Sequence, residues 1–287
     1  MRFDNRRKQF RSILNGDRCV YPGSVFDPIS ARIAEDIGFE VGMFAGSIAS
    51  FTVLGAPDVI VLTLSEFAQQ AQRINRSSEL PLMVDADHGY GNALNVKRTV
   101  EELEMAGVSG MSIEDTELPQ PFGSVGRTKL LSIPEGVGKL KAALDGRQDP
   151  NLIIAGRTSA PGVTNMEDAL ERAMAYEKVG VDAIFLVGVK TKEQLEKISD
   201  SISIPIILGG GGSSDMMDLD YLSEKNVRIC LQGHQPFSAA VKAIYDTMKA
   251  LREGTPPEEL QGIASAELMK KVTNITDYEN MFDKYLK

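Results

Sequence analysis

Two aspartates one residue apart close the apolar run at residues 82–84, in the segment LMVDADHGYGN. An apolar run of this length bounded by turn residues reads as a buried strand. Side chains two apart on a strand share a face, so Asp85 and Asp87 are expected to point the same way at the strand's C-terminal end. Two carboxylates held together in a buried place resist ionising together, and a hard divalent cation is the simplest compensation. Gly89 and Gly91 follow at once and let backbone approach whatever sits there. The competing reading makes them turn residues, Asp85 ending the strand and Asp87 capping the next helix.

Other polar residues fall at comparable places. Ser47 and Asp58 follow the apolar segment at 41–45, and Glu114 and Asp115 end GMSIED. Arg157 ends LIIAGRT, and His234 follows RICLQG. Several carboxylates with one arginine and one histidine suit a metal site beside an anion clamp. Oxygen-only ligands select Mg²⁺ or Mn²⁺, and no His-rich or Cys-rich spacing supports zinc. A guanidinium fork fits a substrate carboxylate, although a buried arginine can equally be a structural ion-pair partner. Glu114 could instead pair with a lysine outside the barrel. Asp115 falls on the opposite face from Glu114 and reads as structural, His88 as positional, and Cys19 and Cys230 as core. The run from Gly209 to Gly212 lies where barrels often bind phosphate, but a flexible turn is the favoured reading.

These residues need a scaffold that brings strand ends together. Strand-like segments at 19–25, 41–45, 82–87, 110–115, 152–158, 183–188, 204–208 and 227–231 are each followed by a helical segment, at 27–37, 63–76, 92–106, 134–144, 166–179, 192–198, 215–223 and 236–251. Eight such units predict a (β/α)₈ TIM barrel, whose catalytic groups sit at the C-terminal ends of the strands. An amphipathic helix at 3–14 precedes the barrel, with its arginines and lysine expected on the solvent side. The tail at 252–287 carries a Pro-Pro turn and one further amphipathic helix. No linker divides the chain, so residues 1–287 read as a single barrel domain.

Composition narrows the partners. Lys plus Arg is 31 and Asp plus Glu is 40, so the net charge of 31 − 40 = −9 speaks against nucleic acid or anionic lipid. No apolar stretch has the length to span a bilayer, and the N-terminus lacks the continuous apolar core of a signal peptide. Two cysteines make no disulfide framework, so a cytoplasmic setting is expected.

VDADHGYGN, SIEDT and GRT, in a barrel with an extra C-terminal helix, together resemble the isocitrate lyase/phosphoenolpyruvate mutase superfamily. FDPISARIAEDIGFE, LTLSEF, PEGVGK and the GH of QGHQPF are most similar to its oxaloacetate decarboxylase branch. The resemblance implies a Mg²⁺-dependent enzyme, with Mn²⁺ as a substitute, acting on a small anionic α-keto acid. It implies Asp85 as the direct metal ligand, with Asp58, Asp87 and Glu114 holding metal-bound water. Ser47 would grip a substrate carboxylate, Arg157 would clamp an anionic group, and His234 would lie by the reacting end. It further implies a homotetramer, a dimer of dimers, whose C-terminal helices exchange between subunits.

The expected reaction is decarboxylation of oxaloacetate, or a close α-keto dicarboxylate, to pyruvate and CO₂ through a stabilised enolate. The alternatives are a C–P hydrolase or mutase acting on phosphonopyruvate or phosphoenolpyruvate, a C–C lyase, and a ligand-binding barrel without turnover. The lyase branch carries a cysteine in a gating loop; the corresponding PQPFGSVGRTKL has neither Cys nor His, which speaks against a C–C lyase. Ser159-Ala160 stands where the decarboxylase branch usually has Asn or Asp, and the glycine run replaces a segment that usually bears a tyrosine.

Overall fold

A computed structural model describes residues 3–124, 126–210 and 214–287. Eight parallel strands run in chain order: β1 (Gly23–Ser24), β2 (Gly42–Phe44), β3 (Leu82–Asp85), β4 (Gly110–Glu114), β5 (Ile153–Thr158), β6 (Ala183–Leu186), β7 (Ile206–Leu208) and β8 (Val227–Cys230). Val20 closes the ring: its N–H donates to Arg228 O at 2.9 Å and its carbonyl accepts from Cys230 N–H at 3.0 Å. The strands are short and almost wholly buried, as parallel strands covered by helices must be. The result is the expected (β/α)₈ barrel.

Among the described residues, thirteen α-helices accompany it. They are α1 (Asp4–Leu14), α2 (Pro28–Asp36), α3 (Gly46–Ala49), α4 (Leu64–Ser77), α5 (Ala93–Met105), α6 (Ile133–Gly146), α7 (Ala160–Val163), α8 (Met166–Val179), α9 (Lys192–Ser199), α10 (Leu219–Glu224), α11 (Gln235–Arg252), α12 (Ala266–Val272) and α13 (Ile275–Tyr285). Local chemistry fixes their starts. Asp27 and Ser30, Thr63 and Glu66, Asn92 and Asn95, and Thr191 and Gln194 form reciprocal caps that satisfy otherwise orphaned N–H groups.

Four expectations are corrected. The first strand is shorter than 19–25, reduced to the Val20 bridge and β1. Residues 46–50, expected as a loop, begin the short helix α3, which continues into a π-helical turn at Ser50–Leu54. The tail holds two helices, α12 and α13, rather than one. The arginines of α1 are not on a solvent face: Arg6 and Arg7 are 3% and 4% exposed. Arg6 donates to Asn75 O at 2.6 Å, and Arg7 to Glu104 O at 2.6 Å and Asp149 Oδ2 at 2.9 Å. They satisfy carbonyls in the last turns of α4 and α5 at the bottom of the barrel, while Phe10 fills its floor against Gly110. α11 stands apart from the other barrel helices, since none of its 18 residues is buried. No helix among the described residues is long and apolar enough to cross a membrane.

Candidate active site

The C-terminal strand ends open into a cavity of about 960 Å³. Ser47, Asp58, Asp85, Asp87, Glu114, Arg157 and His234 all line it, so every site residue expected from the sequence converges on one place.

Asp85 is the last residue of β3 and is buried. Its Oδ1 accepts from Ser112 Oγ at 2.9 Å, and its Oδ2 meets Arg157 Nη1. Register explains the first contact, because Asp85 stands beside Ser112 across the β3–β4 ladder. Glu114 ends β4 beside Arg157 of β5, and its Oε2 lies 3.2 Å from Arg157 Nη2. Arg157 therefore bridges two carboxylates, with its guanidinium carbon 5.4 Å from the centre of the Phe185 ring. Glu114 pairs inside the barrel, not with a lysine outside it.

Asp87 reaches the cavity by a different route from the one its spacing suggested. β3 ends at Asp85, and Asp87 has φ 47°, the left-handed region. A turn, not the pleat, aims its carboxylate beside that of Asp85. The turn is pinned where the Asp87 carbonyl accepts from Glu114 N–H at 2.9 Å. Asx side chains tolerate this conformation better than most.

Electrostatics follow from the arrangement. Burial pushes the Asp87 carboxyl well above the usual carboxylate range, and the charges of Asp85, Glu114 and Asp58 push it further. Glu114 is raised by burial against the opposing pull of Arg157. Asp58, in the loop at the rim, is raised by partial desolvation and then by Asp85. Burial works against the charge of Arg157, but Asp85 and Glu114 outweigh it and hold the guanidinium more basic than usual.

Four carboxylates thus face one guanidinium, a cavity with an uncompensated need for positive charge. Among the described residues no three His, Cys, Asp or Glu side chains converge as a ready-made metal cage. The donor set is all oxygen and spread around the cavity. That fits a hard divalent cation taking one carboxylate directly and filling its other positions with water, as Mg²⁺ does.

His234 caps α11 by position, yet its side chain makes no capping hydrogen bond. Its Nδ1 lies 2.9 Å from Ser24 Oγ instead. Burial lowers its pKa, opposed by the charge of Asp85.

The remaining residues sort cleanly. Asp115 turns away from the cavity and accepts from Tyr176 Oη at 2.6 Å and Arg172 Nη1 at 2.9 Å, a structural role. His88 is buried outside the cavity lining, and burial with the charge of Lys139 lowers its pKa to about 4. Gly209 and Gly210 have a packing reason: a Cβ on either would meet the backbone carbonyl of Leu186 or Leu231. Gly211 and Gly212 lie outside the described residues. Leu118, Pro119 and Gln120 bring the long loop after β4 to the cavity mouth.

Two supporting residues were not legible as such. Ser112 sits two before Glu114 on the same strand face, and alternation could have found it. Ser24 ends β1, but a strand drawn to residue 25 hides it as mid-strand.

The phosphoenolpyruvate phosphomutase family profile matches residues 10–252. A relative from Rhodopseudomonas palustris (strain BisB18), named oxaloacetate decarboxylase, is 58% identical over 95% of this chain and 94% of its own length. Another of that name, from Bradyrhizobium sp. (strain ORS 278), is 52% identical over 100% of this chain and 99% of its own. Among solved structures, a phosphonopyruvate hydrolase complex with oxalate and Mg²⁺ superposes with a TM-score of 0.86 at 26% identity, covering 98% of this chain and 99% of that one. An oxaloacetate acetylhydrolase complex with 3,3-difluorooxalacetate superposes with a TM-score of 0.86 at 26% identity, covering 98% and 97%. The family profile covers most of the chain, and the relatives match along nearly all of it, so this chain belongs to the phosphoenolpyruvate mutase/isocitrate lyase superfamily.

Proposed function

We propose that the chain is a Mg²⁺-dependent decarboxylase of oxaloacetate or a close α-keto dicarboxylate. The observation that carries this reading is the convergence of Asp58, Asp85, Asp87 and Glu114 on one cavity, in a chain whose relatives at 52–58% identity are named oxaloacetate decarboxylase.

Asp85 would be the direct ligand of such an ion, and Asp58, Asp87 and Glu114 would hold it through water. A divalent cation bound here supplies Lewis-acid stabilisation of the negative charge that develops on the substrate's C2 oxygen. Ser47 grips the C1 carboxylate, and Arg157 balances the anionic end of the cavity while holding Asp85 and Glu114 in place. The C3–C4 bond breaks, its electron pair passes towards the C2 carbonyl, and C4 leaves as CO₂. A proton from water then reaches C3 to give pyruvate. The side chains contribute mainly position, which is most of what this reaction requires. His234 faces the C4 carboxylate.

We further assign the chain as a single domain and a homotetramer in which the tail at 252–287 docks on another subunit. Support comes from α11, which buries none of its residues, and from the apolar side chains of α13 that face water in the single chain. A cytoplasmic setting accords with two free, buried cysteines.

The test is pyruvate release from oxaloacetate with Mg²⁺, with EDTA and with Asp85→Ala, after subtracting the enzyme-free rate at the same Mg²⁺. Turnover lost under both treatments supports the reading. Turnover of phosphonopyruvate but not oxaloacetate would move the substrate to the phosphonate class.

A further inference from the structure

The imidazole of His234 is held from behind by a residue outside the cavity lining. Ser24 ends β1 and reaches across the seam where the barrel closes, placing its Oγ 2.9 Å from His234 Nδ1. His234 occupies the cap position of α11 without using its side chain as a cap, so the ring is committed elsewhere. Nδ1 is taken by Ser24, and among the described residues no protein group is hydrogen-bonded to Nε2 of this cavity-lining ring.

We infer that Ser24 is a positioning residue: its hydroxyl donates to Nδ1 and fixes His234 as the Nε2–H tautomer. The inference rests on the decarboxylase reading for its consequence but not for its geometry.

Two arguments set the direction of the hydrogen bond. A serine hydroxyl has one proton to place. Among the described residues Nδ1 is the sole hydrogen-bond partner of the Ser24 side chain. Donation to Nδ1 satisfies both groups, whereas the opposite arrangement leaves the hydroxyl proton without a protein acceptor. The second argument is electrostatic. Nε2 faces a cavity lined by four carboxylates, including Asp85, whose charge acts on the ring. A lone pair pointed into that field is disfavoured, and an N–H is favoured. Burial lowers the pKa of the ring, and a neutral ring has two tautomers between which the contact of Ser24 chooses.

The consequence bears on the substrate. A neutral Nε2–H can hydrogen-bond the C4 carboxylate and set its plane relative to the C2 carbonyl. It does so without a full positive charge, which would hold the carboxylate more tightly than the transition state, in which that charge is leaving. His234 is then a hydrogen-bond donor that orients, and the proton delivered to C3 comes from water.

The chain has two histidines, which makes the test direct. The Mg²⁺-loaded full chain is labelled with ¹⁵N-histidine, and the His234 ring signals are assigned by their loss in His234→Gln. The expected native spectrum shows Nδ1 unprotonated and Nε2 protonated. Ser24→Ala is expected to give a mixture of tautomers, a fall in kcat of about tenfold, the size of one lost hydrogen bond, and a KM within about twofold of native. Ser24→Thr, which keeps the hydroxyl, is expected to restore both the spectrum and kcat. A native ring protonated on Nδ1 overturns the inference, as does a Ser24→Ala spectrum identical to native. Absence of oxaloacetate turnover in the native chain would count against the decarboxylase reading alone, since the tautomer is measured independently of it.

Discussion

The carboxylate of Asp87 packs against Gly46 so closely that any Cβ at residue 46 would clash with both carboxylate oxygens. Asp87 is already in left-handed backbone, which limits how far it can retreat. Gly46→Ala is therefore expected to displace the carboxylate while leaving the barrel folded. If Asp87 supports the bound ion through water, Mg²⁺ affinity should fall by about tenfold to a hundredfold, the range for losing an outer-shell support. Isothermal titration checks this, and native affinity in a folded Gly46→Ala protein would remove Asp87 from the metal site.

Among the described residues Arg157 is the one cation that lines the cavity, and it touches both Asp85 and Glu114. Removing one partner of a buried pair leaves uncompensated charge, typically a loss of about 3–5 kcal/mol. Arg157→Gln should lower the melting temperature strongly in EDTA. Added Mg²⁺ should recover much of the difference, because the ion then supplies positive charge to the same carboxylates. A melting curve unmoved in EDTA would mean that Arg157 does not hold the acids together.

The site was legible largely because barrel geometry does the convergence. Once eight strand–helix units are recognised, polar residues at strand ends must meet, and residues as far apart in sequence as Ser47 and His234 were collected on that ground. The detail failed where local backbone departs from the regular repeat. Asp85 and Asp87 were paired by strand alternation, but the strand ends at Asp85 and a left-handed turn does the work. Charged residues on an amphipathic helix usually face water, a rule that Arg6 and Arg7 break. Their burial depends on the carbonyls of Asn75 and Glu104, at the C-terminal ends of α4 and α5, which no local pattern reveals. A strand boundary drawn one residue late conceals Ser24 as a strand end.

Asp149 anchors α1 by accepting from Arg7 Nη1 at 2.9 Å, and its other carboxylate oxygen accepts from the N–H of Asn151 at 2.9 Å. Although burial opposes it, these contacts hold its carboxyl below its ordinary value of 3.8. A carboxylate depressed in the folded state contributes stability that is complete above the unfolded value and lost as pH falls through the folded one. Asp149→Asn should therefore be less stable than native at pH 7, and the gap should begin to close as pH approaches 3.8. Urea midpoints of both proteins, measured with saturating Mg²⁺ from pH 7 downward, test this. A gap that widens on acidification would show that Asp149 is not stabilised as its anion.

The C-terminal helices present apolar side chains at helical spacing to water. On α11, Val241, Ile244, Tyr245, Met248 and Leu251 are exposed, and on α13, Tyr278, Met281, Phe282 and Tyr285. Separations of three, four and seven residues place such side chains on one stripe. A contiguous stripe of this kind marks a surface that is covered in use. α12 ties the tail to its own barrel through Arg32 Nη1, which donates to Val272 O at 3.0 Å, and through the pair of Lys271 with Asp36 at 2.6 Å. Removing residues 255–287 should therefore leave a closed barrel but shift sedimentation to a smaller species. Met281→Asp in the full chain should do the same by placing a charge in the stripe without deleting backbone. Sedimentation unchanged in both proteins would refute exchange of the tail between subunits.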